Sequence, residues 1–438
     1  HMGNVPGEEA NNGRAGAQAV SVRPKTISRI NSAFRSSFLF GRKDKSGIKG
    51  HCGDFISGRV RRKISEMTGL VQPLSEIIAN YLEEYGWNLV IQPRMRTPRI
   101  GAGVAATNQR VFVAGGKDWR TPLLLDSVEA FDFEKNRWIS MAKMKHVRCY
   151  TTLDVTPDGT KLYACGGYTH SLRLGLLGGH SNVVPHSTVE VYDFKTCTWS
   201  SAGRMTEARW AAGSAISPDG SRLFILGGGY KGRGDPNPIW DRPMNSAEFL
   251  DLKSRKFKRL PRMHRGRVGA AAIVSPDGHH LYVVGGDRAS GRSTGEVLDL
   301  KTMVWTQLPP SASRPRVCLG LSISPDGSRL YVFGGSRFPG PYATNVQPDD
   351  SAECFNLRTW MWEPIRCNLN FARHGAGFCL SDDRTRMFVV GGNTSTIEEE
   401  WTSRRVPGSL EQVRIDQCFW ESSEQHEDNA SRGPVLRP

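Results

Sequence analysis

The sequence predicts an all-β fold made of six copies of one four-stranded unit. Three observations carry that expectation. Glycine pairs recur at 115/116, 166/167, 227/228, 285/286, 334/335 and 391/392, a period of 49 to 61 residues. Each pair is followed by a glutamate (Glu129, Glu190, Glu248, Glu296, Glu353, Glu411), and nine residues later by an aromatic: Trp138, Trp199, Phe257, Trp305, Trp362 or Trp420. Each unit opens on an arginine: Arg99, Arg148, Arg209, Arg267, Arg316 and Arg373.

The unit is plainest from Arg267 to Trp305. Val268 to Val274 is an apolar run, and Leu281 to Val284 is a second that ends in Gly285-Gly286. Glu296 to Leu300 and a strand at Trp305 complete the four. The turn Ser275-Pro276-Asp277-Gly278 joins the first two, with φ preset at Pro and free at Gly. The same turn recurs at Thr156, Ser217 and Ser324.

An apolar strand closing in Gly-Gly, then Glu-x-x-Asp and a Trp at fixed spacing, resembles the kelch repeat over roughly residues 95 to 420. That resemblance implies a six-bladed kelch-type β-propeller, one four-stranded sheet per repeat. The expected organisation is a disordered basic leader at 1–58, a helical segment at 59–85, the propeller at 86–421 and a disordered tail at 422–438.

Within the second of these segments, Leu74, Ile77, Ile78, Tyr81, Leu82 and Tyr85 follow the i, i+3, i+4, i+7 pattern of a short amphipathic helix over 73–85. It is expected to pack on the propeller or on a partner. Leu70-x-x-Pro73-Leu74 with Ile78, Tyr81 and Leu82 is similar to the first helix of an F-box, a module joined to kelch repeats in ubiquitin-ligase adaptors. A strand-like segment starts already by Trp87, where an F-box would continue as helix. Gly86 to Ile91 is expected to close the sixth blade as its outermost strand, in competition with Glu411 to Trp420.

The formal net charge is +15, and it is unevenly placed: between Val20 and Lys63 twelve Lys/Arg stand against Asp44 and Asp54. The polycation therefore belongs to the leader, as a solvated tail, as a membrane-surface segment through 20–63, or as a transit peptide within 1–50. Nucleic-acid binding is not favoured, because no basic and aromatic platform stands behind the tail. Nine scattered cysteines without a CxxC pair favour a reducing compartment, cytoplasm first and nucleus second. No run of about 18 apolar residues exists that would make a membrane-crossing helix.

The gap from glycine pair to glutamate is 13, 23, 20, 10, 18 and 19 residues, so insertions gather in the connection between second and third strands. In an antiparallel blade that connection opens on the face where the first strand begins, which puts the long loops and the six arginines together. Candidate binding residues on this face are Trp119, Tyr168, Tyr230 and Trp240 with the arginines Arg99, Arg148, Arg209, Arg267, Arg316 and Arg373. Trp210 is expected to narrow or floor the pocket. The arginines have two readings: pairing with the six glutamates in register, or, as the resemblance to kelch adaptors of cullin ligases implies, lining a pocket for acidic peptides.

The expected function is a protein-interaction module, a scaffold or substrate adaptor whose partner is an acidic protein surface or peptide in a ubiquitin-ligase or cytoskeletal complex. The alternative is a small-molecule enzyme, since kelch-like propellers include copper radical oxidases and sialic acid epimerases. No catalytic, metal or cofactor site is expected: His170, His180 and His186 share a loop without ligand spacing, and no phosphate loop or nucleophile elbow occurs.

Overall fold

The second strand of every repeat carries one burial pattern. In Arg110–Ala114, Lys161–Cys165, Arg222–Leu226, His280–Val284, Arg329–Phe333 and Arg386–Val390, a half-buried basic residue leads four buried ones. Burial on both faces of a strand follows when sheets stack face to face, and it explains the unbroken Val, Leu and Phe runs.

The computed structural model describes residues 95–118, 120–121, 123–170, 183–230, 243–287, 293–311, 315–337, 347–365, 368–369, 372–393 and 410–414. The chain divides into two units, 1–84 and 85–438, and every described residue belongs to the second. The expected leader, the helix at 73–85, the strand at Gly86 to Ile91, Trp420 and the tail lie outside the described residues, as do Trp119 and Trp240.

Among the described residues there is no helix. Five four-stranded sheets repeat the same antiparallel order, first strand to fourth, and Gly377–Leu380, Arg386–Val390 and Leu410–Arg414 repeat its first three strands. The fourth repeat shows it with Ala271–Val274, His280–Val284, Gly295–Asp299 and Val304–Leu308. The first strands are Gly103–Ala106, Thr152–Val155, Gly213–Ile216, Ala271–Val274, Gly320–Ile323 and Gly377–Leu380. Each meets the next side by side, and Gly377–Leu380 meets Gly103–Ala106, so the six sheets surround a central channel as blades of a propeller.

The blade seams are apolar. Phe112, Val128, Ala130 and Met144 of the first blade pack with Leu153, Leu162, Tyr192 and Trp199 of the second. Three of the aromatics nine residues after a glutamate are seam staples. Trp199 Nε1 donates to Ala142 O at 2.9 Å, Trp305 Nε1 to Pro261 O at 2.9 Å and Trp362 Nε1 to Pro309 O at 2.7 Å, each time reaching the segment that leaves the preceding blade. A buried tryptophan needs such an acceptor, and the fixed spacing supplies it.

Leu410–Arg414 pairs with Arg386–Val390, with Glu411 opposite Val389, and is the third strand of the sixth blade. The C-terminal candidate for the outermost strand, at Trp420, lies outside the described residues, as does the N-terminal one.

Candidate functional site: the loop face and the channel it surrounds

The arginine that opens each blade is turned inward. All six are buried, at 0–1% exposure. Each guanidinium meets the glutamate of its own blade: Arg99–Glu129 at 2.5 Å, Arg148–Glu190 at 2.9, Arg209–Glu248 at 3.0, Arg267–Glu296 at 2.8, Arg316–Glu353 at 3.5 and Arg373–Glu411 at 3.1 Å. The other terminal nitrogen donates to the carbonyl of the first glycine of the pair, Gly115, Gly166, Gly227, Gly285, Gly334 and Gly391 in turn.

The glutamates look the other way, toward the segment arriving from the preceding blade. Glu190 accepts from the amides of Lys145 and His146, Glu296 from those of His264 and Arg265, and Glu129 from those of Arg96 and Thr97. Burial pushes Glu190 and Glu296 up, but for Glu190 the Lys145 amide and Arg148, and for Glu296 Arg267 and the His264 amide, outweigh it and hold both carboxyls below their ordinary range. Burial lowers the pKa of Arg99, Arg209, Arg267, Arg316 and Arg373. The pairing reading describes these contacts. The terminal nitrogens of all six arginines are engaged inside their blades.

The arginines and the second-to-third connections do share one face. Arg99–Ile100 pairs with Lys117–Asp118, and Tyr168–His170 pairs with Val183–Pro185. There Trp210 is fully buried, edge-on to Tyr150 and to Tyr168 with centroids 6.0 Å away in both cases. Tyr150 and Tyr168 stack at 6.2 Å. Tyr168 is thus mostly packed, whereas Tyr230 is 44% exposed. Lys117, half-buried, is close enough to His170 to help burial lower its pKa.

Two features of this face have no counterpart in the sequence reading. A ring of left-handed residues, one per blade, surrounds the channel mouth: Gly101, Tyr150, Ala211, Gly269, Cys318 and Gly375 have φ of 64, 52, 48, 69, 51 and 62°. Their backbones hydrogen-bond around the ring, Gly101 N to Gly375 O at 2.9 Å, Tyr150 N to Gly101 O at 2.6, Ala211 N to Tyr150 O at 2.9, Gly269 N to Ala211 O at 2.8 and Cys318 N to Gly269 O at 2.6 Å. Below the mouth lies a channel of about 530 Å³. Asp154 lines it and accepts from Ser214 Oγ at 2.5 Å across the seam of the second and third blades. Burial pushes its carboxyl up to about 7 despite that hydrogen bond. Among the described residues, no cluster of His, Cys, Asp and Glu is arranged to hold a metal ion.

A family model described as the KLHDC2/KLHL20/DRC7 Kelch-repeats domain matches residues 213–429, and the Kelch motif matches 98–145 and 176–206. Over 193 residues the chain is 27% identical to an F-box/kelch-repeat protein of Arabidopsis thaliana, a match covering 42% of this chain and 39% of that one. Over 122 residues it is 25% identical to the N-acetylneuraminate epimerase of Vibrio vulnificus strain YJ016, covering 27% and 32%. The chain thus spans about two fifths or less of the length of these relatives. The solved structure of YjhT is similar with a TM-score of 0.56 and 16% identity, over 74% of this chain and 97% of that one. At that identity the likeness speaks for the fold alone.

Proposed function

We propose that this chain, a kelch-repeat protein with a β-propeller fold, is a protein-interaction module that receives its partner on the face carrying the second-to-third strand connections. The observation that carries the reading is the division of labour on that face. We read the six arginines as scaffold locked into the blades and Trp210 as a buried base, with Tyr230 and Lys117, among the described residues, as aromatic and cationic groups available above them. Exposed aromatic and cationic side chains on variable loops over a stiff scaffold are the usual anchors of protein interfaces. An acidic partner surface suits them.

The similarity to an F-box/kelch-repeat protein supports the adaptor form of this reading, with the 59–85 segment joining a ubiquitin-ligase assembly and the propeller choosing the substrate. Affinity capture with the full chain tests it. Tyr230→Ala with Lys117→Glu should lose the captured partners while thermal unfolding is unchanged. Retention of the same partners by that double variant would sink the assignment of this face. A second reading, a sugar epimerase, draws on the similarity to N-acetylneuraminate epimerase. Turnover of N-acetylneuraminate by the purified chain would put it first.

A further inference from the structure

The turns at the opposite end of the channel share one hydrogen-bond frame. In the second to sixth blades, a Ser or Thr hydroxyl donates to the Asp two residues on and accepts the amide five residues on. Thr156 with Asp158 and Lys161 shows it, and so does Ser381 with Asp383 and Arg386. The left-handed position of the frame is Gly159, Gly220, Gly278 and Gly327 in four of these blades. In the sixth it is Arg384, at φ 58°, and Asp382 stands where the others have proline.

The frame is kept and only these two residues are changed. Glycine takes a left-handed φ freely and arginine does not, so the exchange works against the turn. Strain of that kind is often found where a side chain is being aimed. Arg384 lines the channel, and its Nη1 is enclosed without a hydrogen-bond partner among the described residues. Among the described residues no carboxylate pairs with it: Asp382 instead accepts the amide of Asn108 at 2.9 Å. Burial lowers the pKa of the Arg384 guanidinium.

We infer that this end of the channel is a binding site for a small organic monocarboxylate, held by Arg384 with its apolar body along the inner strands. A planar guanidinium suits a carboxylate two-pronged, and the single positive charge beside Asp382 disfavours a multiply charged anion. Val155, Ile216, Val274 and Leu380 give the channel wall apolar surface, beside the polar Ser214 and Asp154. The whole channel, of about 530 Å³, is of the size that small-molecule sites have. The site is on the face opposite the proposed partner surface and does not depend on it.

A ligand-observed NMR titration of the full chain with hexanoate, and with hexanamide as its uncharged counterpart, tests the site. Hexanoate should bind saturably at millimolar concentration, and hexanamide should not. Arg384→Gly, which installs the residue of the sibling turns and should melt no lower than the parent, is expected to bind hexanoate roughly tenfold more weakly or worse. Arg384→Lys should fall between, and Tyr230→Ala should bind as the parent does. Equal binding of hexanoate and hexanamide, equal binding by Arg384→Gly, or no saturable binding to the parent would each overturn the proposal.

Discussion

The amide of Gly101 donates to the carbonyl of Gly375 at 2.9 Å, joining the first repeat to the last. It is one link in the ring of backbone hydrogen bonds around the channel mouth, and it spans the only seam where the chain is not continuous from one described blade to the next. Both residues are left-handed, with φ of 64 and 62°. A Cβ on Gly375 would also fall 2.4 Å from Ile100 Cγ2. Gly375→Ala therefore meets both backbone strain and a clash at the closing seam, and should destabilise the propeller by about 2–4 kcal/mol. Gly159 has a similar φ of 67°, but a Cβ there would meet nothing within 4 Å. Gly159→Ala should cost only about 1 kcal/mol in the same denaturant titration.

The buried Arg267–Glu296 pair predicts an asymmetry between breaking and replacing. Arg267→Ala leaves a carboxylate buried with only the amides of His264 and Arg265 and the His264 ring, and should lose about 3–5 kcal/mol. Arg267→Met with Glu296→Leu should recover a large part, because no unpaired charge remains. Chemical unfolding of the two variants checks this. If Arg267→Ala left stability untouched but abolished partner capture, the scaffold assignment of the arginines would be wrong.

Asp154 makes stability depend on pH in a defined direction. Its carboxyl rises from 3.8 to about 7 on folding, so the folded chain holds the proton more tightly than the unfolded one. The contribution is complete below about pH 4, is lost as pH rises toward 7, and is flat above. His186 acts oppositely: burial first, then Arg148 and His146, lower it to about 4, so its contribution is lost as pH falls from about 6.5 to 4. The comparison of Asp154→Asn with the parent separates the two. The variant should gain stability relative to the parent as pH rises from 4 to 7, read from melting temperatures across that range, and a constant difference would contradict the assignment.

Met95 indicates how the ring is completed. Its Cε would lie 3.5 Å from a Cβ on Gly391 of the sixth blade, as Met144 Cε would lie 3.3 Å from one on Gly115 and Met205 Cε 3.2 Å from one on Gly166. Met144 and Met205 each follow the outermost strand of the blade they touch, Arg137–Met141 and Thr198–Arg204. By that equivalence the segment before Met95 should supply the outermost strand of the sixth blade. Deleting 1–93 should abolish cooperative unfolding, while deleting 422–438 should leave the melting temperature within about 2 °C. A cooperative, undiminished transition in the first deletion would remove the N-terminal strand from the ring.

The repeat was legible because its marks are local. Pro276-Asp277-Gly278 makes a turn whatever surrounds it, and Leu281 to Val284 makes a doubly buried strand by composition. The constant 18 residues from Arg148 to Gly166 and from Arg267 to Gly285 were also there to be counted, but nothing in the count says that the guanidinium ends on the glycine carbonyl. Trp210 was recognised as unusual, yet its partners Tyr150 and Tyr168 come from the preceding blade. Arg384 was not singled out among the turns, although it stands where their glycine does, and only the closed ring makes it a lining of the channel.

By itself, then, the sequence determined the strands, the turns, the repeat and the kelch family, because each depends on backbone preference and apolar periodicity within a few residues. The tertiary structure decided which charges are scaffold and which are presented. Whether an arginine is locked like Arg148 or, like Arg384, keeps a terminal nitrogen without a partner among the described residues depends on the carboxylates and carbonyls that folding brings beside it, and on how much water that folding removes.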